Sequence, residues 1–297
     1  MIDYLQKYGY TPNPEAISKS ISLIAANLDN VVSKEVLKDC FSMMDLTTLR
    51  TNDTEAHVEK LVGKVAKFAE TYPEYPIPAS VCVYPNFAST VKSCRHTEDL
   101  HITVVSACFP SSQSFLEVKV RETELAVEQG ADEIDIVLAL NSFLAEDYET
   151  AAHEIREIRT AIDKVAQTQN RKVCLKVILE TGLLVTPENI AIASFLAMES
   201  GADFIKTSTG KVDVNATPTA AFIMSECIKK YYEATGKKVG FKPAGGIANA
   251  RDAVSYYSIV ANVLGKDWLN KELFRFGVSR VANSILSEIE EKTINFF

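Results

Sequence analysis

The sequence predicts an α/β fold, a closed (β/α)8 barrel that carries an extra helical segment at its N-terminus. Three observations predict it. Short apolar runs alternate along the chain with longer amphipathic stretches, the order that builds a parallel sheet. There are eight such runs, the number a barrel of this kind uses. Several are almost continuously apolar, as strands covered on both faces should be. An open doubly wound sheet is the competing architecture, but the Gly-rich dinucleotide turn is absent after the first strands.

The first 40 residues stand outside the repeat. PEAISKSISLIAANL and KEVLKDCF read as two short helices, in a segment too small for a core of its own. Residues 1–40 are therefore assigned as an appendage, packed on the barrel's side or plugging its bottom, and residues 41–297 as the barrel domain. The strand candidates are FSMMDLT (41–47), IPASVCVYP (77–85), HITVVSACF (101–109), ADEIDIVLAL (131–140), RKVCLKVILE (171–180), ADFIKTST (202–209), KVGFKPAG (238–245) and LFRFGVS (273–279). Helix signals fill the intervals. Asp53-Thr54 can cap VEKLVGKVAKFAE, and Gly130 closes SFLEVKVRETELAVEQG. YETAAHEIREIRTAIDKVAQ is amphipathic, and Thr186-Pro187 and Thr217-Pro218 each place a capping hydroxyl before a first-turn proline. SRVANSILSEIEEK is the last helix.

Composition narrows the function. The 297 residues are 47% hydrophobic and 24% charged, with a formal net charge of -8. That balance argues against nucleic acid as a partner, because a phosphate backbone needs a basic face. A small anion needs only a local positive pocket. The six cysteines form no CxxC pair, and Cys82, Cys108 and Cys174 lie in apolar runs, the pattern of reduced thiols in a cytoplasmic protein. His57, His96, His101 and His153 do not pair at ligand spacing, so no metal site is expected. MIDYLQKYGY is not a signal peptide, and no apolar stretch reaches the roughly 18 residues of a membrane span.

Chemistry in a barrel gathers at the C-terminal ends of the strands, and polar residues there stand out. Asp45 lies in MMDLTTL, Asp135 in EIDIVL with Glu133 two before it, and Lys176 and Glu180 share a side of VCLKVILE. Lys206 ends FIK, Lys242 ends GFK, and Arg275 and Ser279 flank the end of the eighth run. Buried salt bridges that set strand register are the bland explanation. Against it, burying this many charges is costly unless each is paired or used. Lys206 and Lys242, on adjacent strands, should face one cavity. Two close ammonium groups lower the pKa of at least one, and a neutral lysine attacks carbonyl carbon. The pattern points to Schiff-base chemistry, with Asp135 moving protons through a bound water and Asp45 bonding a substrate hydroxyl or orienting a neighbour. TSTGK after the sixth run, PAGGIANA after the seventh and GVS after the eighth free backbone N–H groups near helix starts, an arrangement that cradles phosphate, and Lys211 adds charge.

Through MDLTTL, VCVYP, GADEIDIV, LKVILETG, GADFIKTSTGK, VNATP, VGFKPAGGI and FRFGVS the sequence resembles the deoxyribose-phosphate aldolases over roughly residues 40–285. The resemblance implies a (β/α)8 barrel without metal or organic cofactor. It implies reversible cleavage of 2-deoxy-D-ribose 5-phosphate to acetaldehyde and D-glyceraldehyde 3-phosphate. In that family the imine-forming lysine falls on Lys206, the second lysine on Lys242 and the relay aspartate on Asp135. Asp45, Thr47, Cys82, Lys176 and Thr209 then lie near substrate, and Gly210, Lys211, Gly245, Gly246 and Ser279 hold phosphate. Some members carry an arginine after the GGV segment, where this chain has Ala248; Arg280 follows FGVS instead and is expected to supply that charge. Some end in a tyrosine that assists proton transfer, where this chain has Phe297. Another class I aldolase and a non-catalytic sugar-phosphate binder are the alternatives, and the trio Lys206, Lys242 and Asp135 favours an enzyme. A homodimer is the expected assembly.

Overall fold

The computed structural model describes residues 3–297. Its centre is one eight-stranded parallel sheet: β1 (Met44–Thr47), β2 (Ser80–Val83), β3 (His101–Val105), β4 (Glu133–Val137), β5 (Cys174–Ile178), β6 (Phe204–Lys206), β7 (Gly240–Lys242) and β8 (Phe276–Val278). Sequence neighbours pair, and β8 returns to pair with β1. Parallel bridges Phe241–Phe274 and Ala244–Gly277 close the remaining seam between β7 and β8. The sheet is thus a barrel, as the eight repeated runs predict. Each strand is shorter than its apolar run, because the flanking residues bend into the loops that form the two rims.

Among the described residues fourteen α-helices surround it. Four precede β1: α1 (Tyr4–Tyr8), α2 (Pro14–Ala26), α3 (Leu28–Val31) and α4 (Lys34–Ser42). The sequence suggested two; the short α1 and α3 lack the periodic stretch that signals a helix. Then come α5 (Glu55–Thr71), α6 (Ala88–Cys94), α7 (Leu116–Glu128), α8 (Leu140–Leu144), α9 (Tyr148–Thr168), α10 (Thr181–Leu184), α11 (Pro187–Glu199), α12 (Pro218–Thr235), α13 (Ala250–Val263) and α14 (Val281–Glu290). The capping hydroxyls act as anticipated: Thr54, Thr186 and Thr217 accept the backbone N–H of His57, Asn189 and Ala220.

The N-terminal helices lie on the barrel's side and do not plug its bottom. Tyr8 stacks on Phe195 of α11 at 4.3 Å and donates to Glu199 at 2.7 Å, while Tyr10 donates to Glu226 of α12 at 2.7 Å. No described helix is long and apolar enough to cross a membrane.

Candidate active site

Register brings the predicted charges together. Lys206 and Lys242 are directly paired on β6 and β7, and Asp135 and Lys176 on β4 and β5. Their side chains enter the barrel interior, where a (β/α)8 fold ordinarily packs branched apolar residues in layers. Here the layers are ionic. Asp135 Oδ2 accepts from both Lys206 Nζ and Lys242 Nζ, each at 2.8 Å. Asp135 Oδ1 lies 3.2 Å from Lys176 Nζ. Asp45 pairs with Lys242 through one oxygen and with Arg275, at 2.6 Å, through the other. Below them Glu133 binds Lys176, receives Arg275 at 2.7 Å and 3.1 Å, and meets His101 Nδ1 at 2.7 Å.

The charges do not cancel. Lys176, Lys206, Lys242 and Arg275 face only Asp45, Glu133 and Asp135, four cations against three carboxylates. The surplus falls on Lys206, whose one carboxylate partner is shared with two other lysines. Burial pushes the Lys206 ammonium below the ordinary lysine value; Asp135 opposes this and Lys242 reinforces it. Burial acts on Lys242 in the same direction, but Asp135 and Asp45 outweigh it, and Lys242 is held above the ordinary value. Lys176, against the same cost of burial, is held well above it by Asp135, Glu133 and Asp45. The three interior lysines therefore divide into two whose carboxylate partners favour the charged form and one, Lys206, whose burial disfavours it. The expectation from sequence rests on the nearness of two ammonium groups; for Lys206 burial is the larger cause, and Lys242 adds to it.

Only one of those three lysines reaches open space. A cavity of about 620 Å³ at the C-terminal mouth is lined by Lys206 but not by Lys176 or Lys242. Thr47, Thr209, Gly210, Lys211, Gly245, Ser279 and Arg280 also line it, as does Phe297. Arg50 and, from α5, His57 and Lys64 complete the wall. None of these is among the expected site residues. For His57 and Lys64 the signal is their spacing with Leu61, which puts the three on one face of the helix after β1; Arg50, in the loop before that helix, carries no such signal. The lining contains Arg50, Lys64, Lys206, Lys211 and Arg280 and no Asp or Glu side chain.

Other expected site residues lie behind this surface. Asp45, Asp135 and Lys242 are fully buried, so Asp45 orients Lys242 and Arg275 through its two oxygens. Cys82 is also buried, beside Leu49 and Val105, and burial raises its thiol pKa despite Lys242. Gly246 does not line the cavity; it sits beside Asn215 and Ala216 with a left-handed backbone (φ +77°). Gly245 shares that conformation, and a Cβ there would lie 2.7 Å from the Asn215 side chain, so both backbone and packing require glycine. Glu180 does not share a side with Lys176. The strand ends at Ile178, and Glu180 adopts a left-handed backbone (φ +55°) that turns its carboxylate to Thr209.

The family model for DeoC/LacD family aldolases matches residues 40–265. The chain belongs to the DeoC/LacD aldolase family. It is 39% identical over 261 residues to the deoxyribose-phosphate aldolase of Homo sapiens, covering 84% of this chain and 78% of that protein. It is 38% identical over 273 residues to the deoxyribose-phosphate aldolase of Mus musculus, with the same coverage. Among solved structures, the aldolase QR15 aligns with a TM-score of 0.66 and 26% identity, over 85% of this chain and 96% of that one. A tetrameric deoxyribose phosphate aldolase from Aeropyrum pernix aligns with a TM-score of 0.68 over 89% and 96% of the two chains; at 22% identity it speaks for the barrel fold alone.

Proposed function

We propose that the chain cleaves 2-deoxy-D-ribose 5-phosphate reversibly to acetaldehyde and D-glyceraldehyde 3-phosphate, through an imine on Lys206. The observation that carries this reading is that Lys206 alone among the three interior lysines lines the mouth cavity and also has a depressed pKa. Its neutral amine attacks the C1 carbonyl of the open-chain sugar, and loss of water leaves a cationic imine. That imine accepts the electron pair of the C2–C3 bond as the proton leaves the C3 hydroxyl, releasing the three-carbon aldehyde. The remaining enamine takes a proton at C2, and hydrolysis frees acetaldehyde. Among the described residues Asp135 is the one carboxylate in contact with Lys206, and with Lys242 it forms a short path for protons passing to and from the nitrogen. Lys242 stays charged and disfavours a second positive charge beside it.

The substrate's phosphate belongs at this cationic wall, which has no Asp or Glu side chain, near Gly210, Lys211, Gly245, Ser279 and Arg280. The resemblance to human and mouse deoxyribose-phosphate aldolases favours this sugar over other aldol substrates. The cytoplasm is the proposed setting, in keeping with six free cysteines. A homodimer is the proposed assembly; exposed Val118 and Leu125 on α7, with Phe115 just before it, offer apolar surface for it, and light scattering reads the mass directly.

Borohydride trapping tests the central step. Incubation with deoxyribose 5-phosphate and borohydride should fix a reduced substrate fragment on the peptide containing Lys206. An adduct on Lys242 would reverse the two roles, and no adduct at all would leave a sugar-phosphate binder without imine chemistry.

A further inference from the structure

We propose that Glu180 is a positioning residue for the loop after β6, holding it in the shape that receives the substrate's phosphate; this rests on the reading of the mouth as a phosphate site. Glu180 does not line the cavity, and its side chain is almost completely buried. Among the described residues no cation pairs with it. Both of its oxygens are instead committed to one residue. Oε1 accepts the backbone N–H of Thr209 at 3.1 Å, and Oε2 accepts the Thr209 hydroxyl at 2.5 Å. The Thr209 hydroxyl oxygen in turn accepts the backbone N–H of Lys211 at 3.0 Å.

This chain of bonds decides which loop donors remain. The N–H groups of Thr209 and Lys211 are occupied, and that of Gly210, between them, has no protein acceptor among the described residues. Gly210 lines the cavity, and Lys211 crosses its edge to donate from Nζ to Leu49 O at 2.6 Å. Glu180 thus selects the free donor and fixes the direction in which the lysine leaves the loop. The turn that bears Glu180 is itself pressed onto this loop. Thr181 N–H donates to Thr207 O at 2.9 Å, and a Cβ on Gly182 would lie 2.1 Å from Val214 O. Glu180 reaches Thr209 from a left-handed backbone that non-glycine residues rarely adopt, a local cost consistent with a fixed role. An ionised carboxylate suits the position because it only accepts, and both groups facing it are donors.

The test compares wild type with Glu180→Ala and Glu180→Gln on deoxyribose 5-phosphate and on unphosphorylated deoxyribose. In Glu180→Ala, KM for the phosphorylated sugar should rise about tenfold or more, the size of a lost hydrogen bond to a charged group, with a much smaller change in kcat. The preference for the phosphorylated sugar, as a ratio of kcat/KM, should fall by a similar factor. Glu180→Gln keeps one acceptor and should recover part of that preference; it decides the matter alone if the alanine variant does not fold. Equal losses on both sugars, or a fall in kcat with KM unchanged, would overturn the positioning role. A wild type that does not prefer the phosphorylated sugar would instead overturn the phosphate reading beneath it.

Discussion

The two ends of the barrel differ in a way that cavity size does not reveal. The cavity at the N-terminal end is the larger, about 880 Å³ against about 620 Å³ at the mouth. Its lining holds seven lysines and arginines but also six carboxylates, and its four buried or half-buried arginines are each paired with an acid of the same lining. Arg95 and Arg171 meet Asp132 at 2.7 and 3.3 Å, and Arg159 meets Asp203 at 3.1 Å. The same acids accept backbone N–H groups at the barrel's lower edge, Asp132 from Ile102 at 3.0 Å and Asp203 from Leu175 at 2.8 Å. They secure the starts of strands. The mouth has Arg50, Lys64, Lys211 and Arg280 beside the reactive Lys206, and no Asp or Glu side chain in its lining. Charge left unanswered marks the end that receives an anion; charge answered in place marks the end that holds the fold.

The sharpest test of that contrast is Lys206→Ala, which should reduce turnover to background and abolish borohydride trapping while leaving the fold assembled. Retained trapping at another residue would move the reactive centre. Lys242→Leu comes next. Lys206 reacts as the neutral amine, so the rate rises as pH climbs through its pKa. Removing the neighbouring cation takes away an influence that holds that pKa down, so the rising limb should shift to higher pH. Turnover at neutral pH should fall and be partly regained in alkali; a limb that does not move would show that Lys242 acts otherwise.

Arg280→Ala probes the mouth's outer charge. It should lower the kcat/KM ratio of deoxyribose 5-phosphate to deoxyribose by about 1.5–3 kcal/mol, and an unchanged ratio would leave the phosphate to the backbone nest and Lys211. The smallest effect on catalysis belongs to the other end. Asp132→Ala should lower stability in a denaturant titration by about 1–3 kcal/mol and leave kcat/KM within about twofold of wild type. A large loss of activity there would erase the distinction between the two ends.

How much of this was legible beforehand follows from chemistry. Lysines ending FIK and GFK, and Asp135 inside EIDIV, stand out because charge is costly in a buried strand, so the elements of the site could be read from residue type alone. The order of the strands followed from the repeat. What could not be read was which lysine faces open space, since Lys206 and Lys242 occupy equivalent places in their strands and differ only through the surrounding loops and partners. The turn at Glu180 was hidden for a similar reason. Period-two alternation holds only while a strand lasts, and nothing in VILETG announces that it stops at Ile178. The cationic wall from α5 required knowing how that helix leans over the mouth.

Asp45 and its partner Arg275 stand 230 positions apart in the chain. Synthesis proceeds from the N-terminus at about 5–20 residues per second, so roughly 10–50 s separate the appearance of the two. Throughout that interval the first strand bears an acid that the finished interior encloses completely, while the guanidinium that answers it does not yet exist. The nascent barrel therefore cannot be sealed from its early end forward. Final closure, with β8 laid against β1, waits for the last strand to emerge, and a ribosome stalled before Arg275 would hold an open sheet exposed to chaperones and proteases.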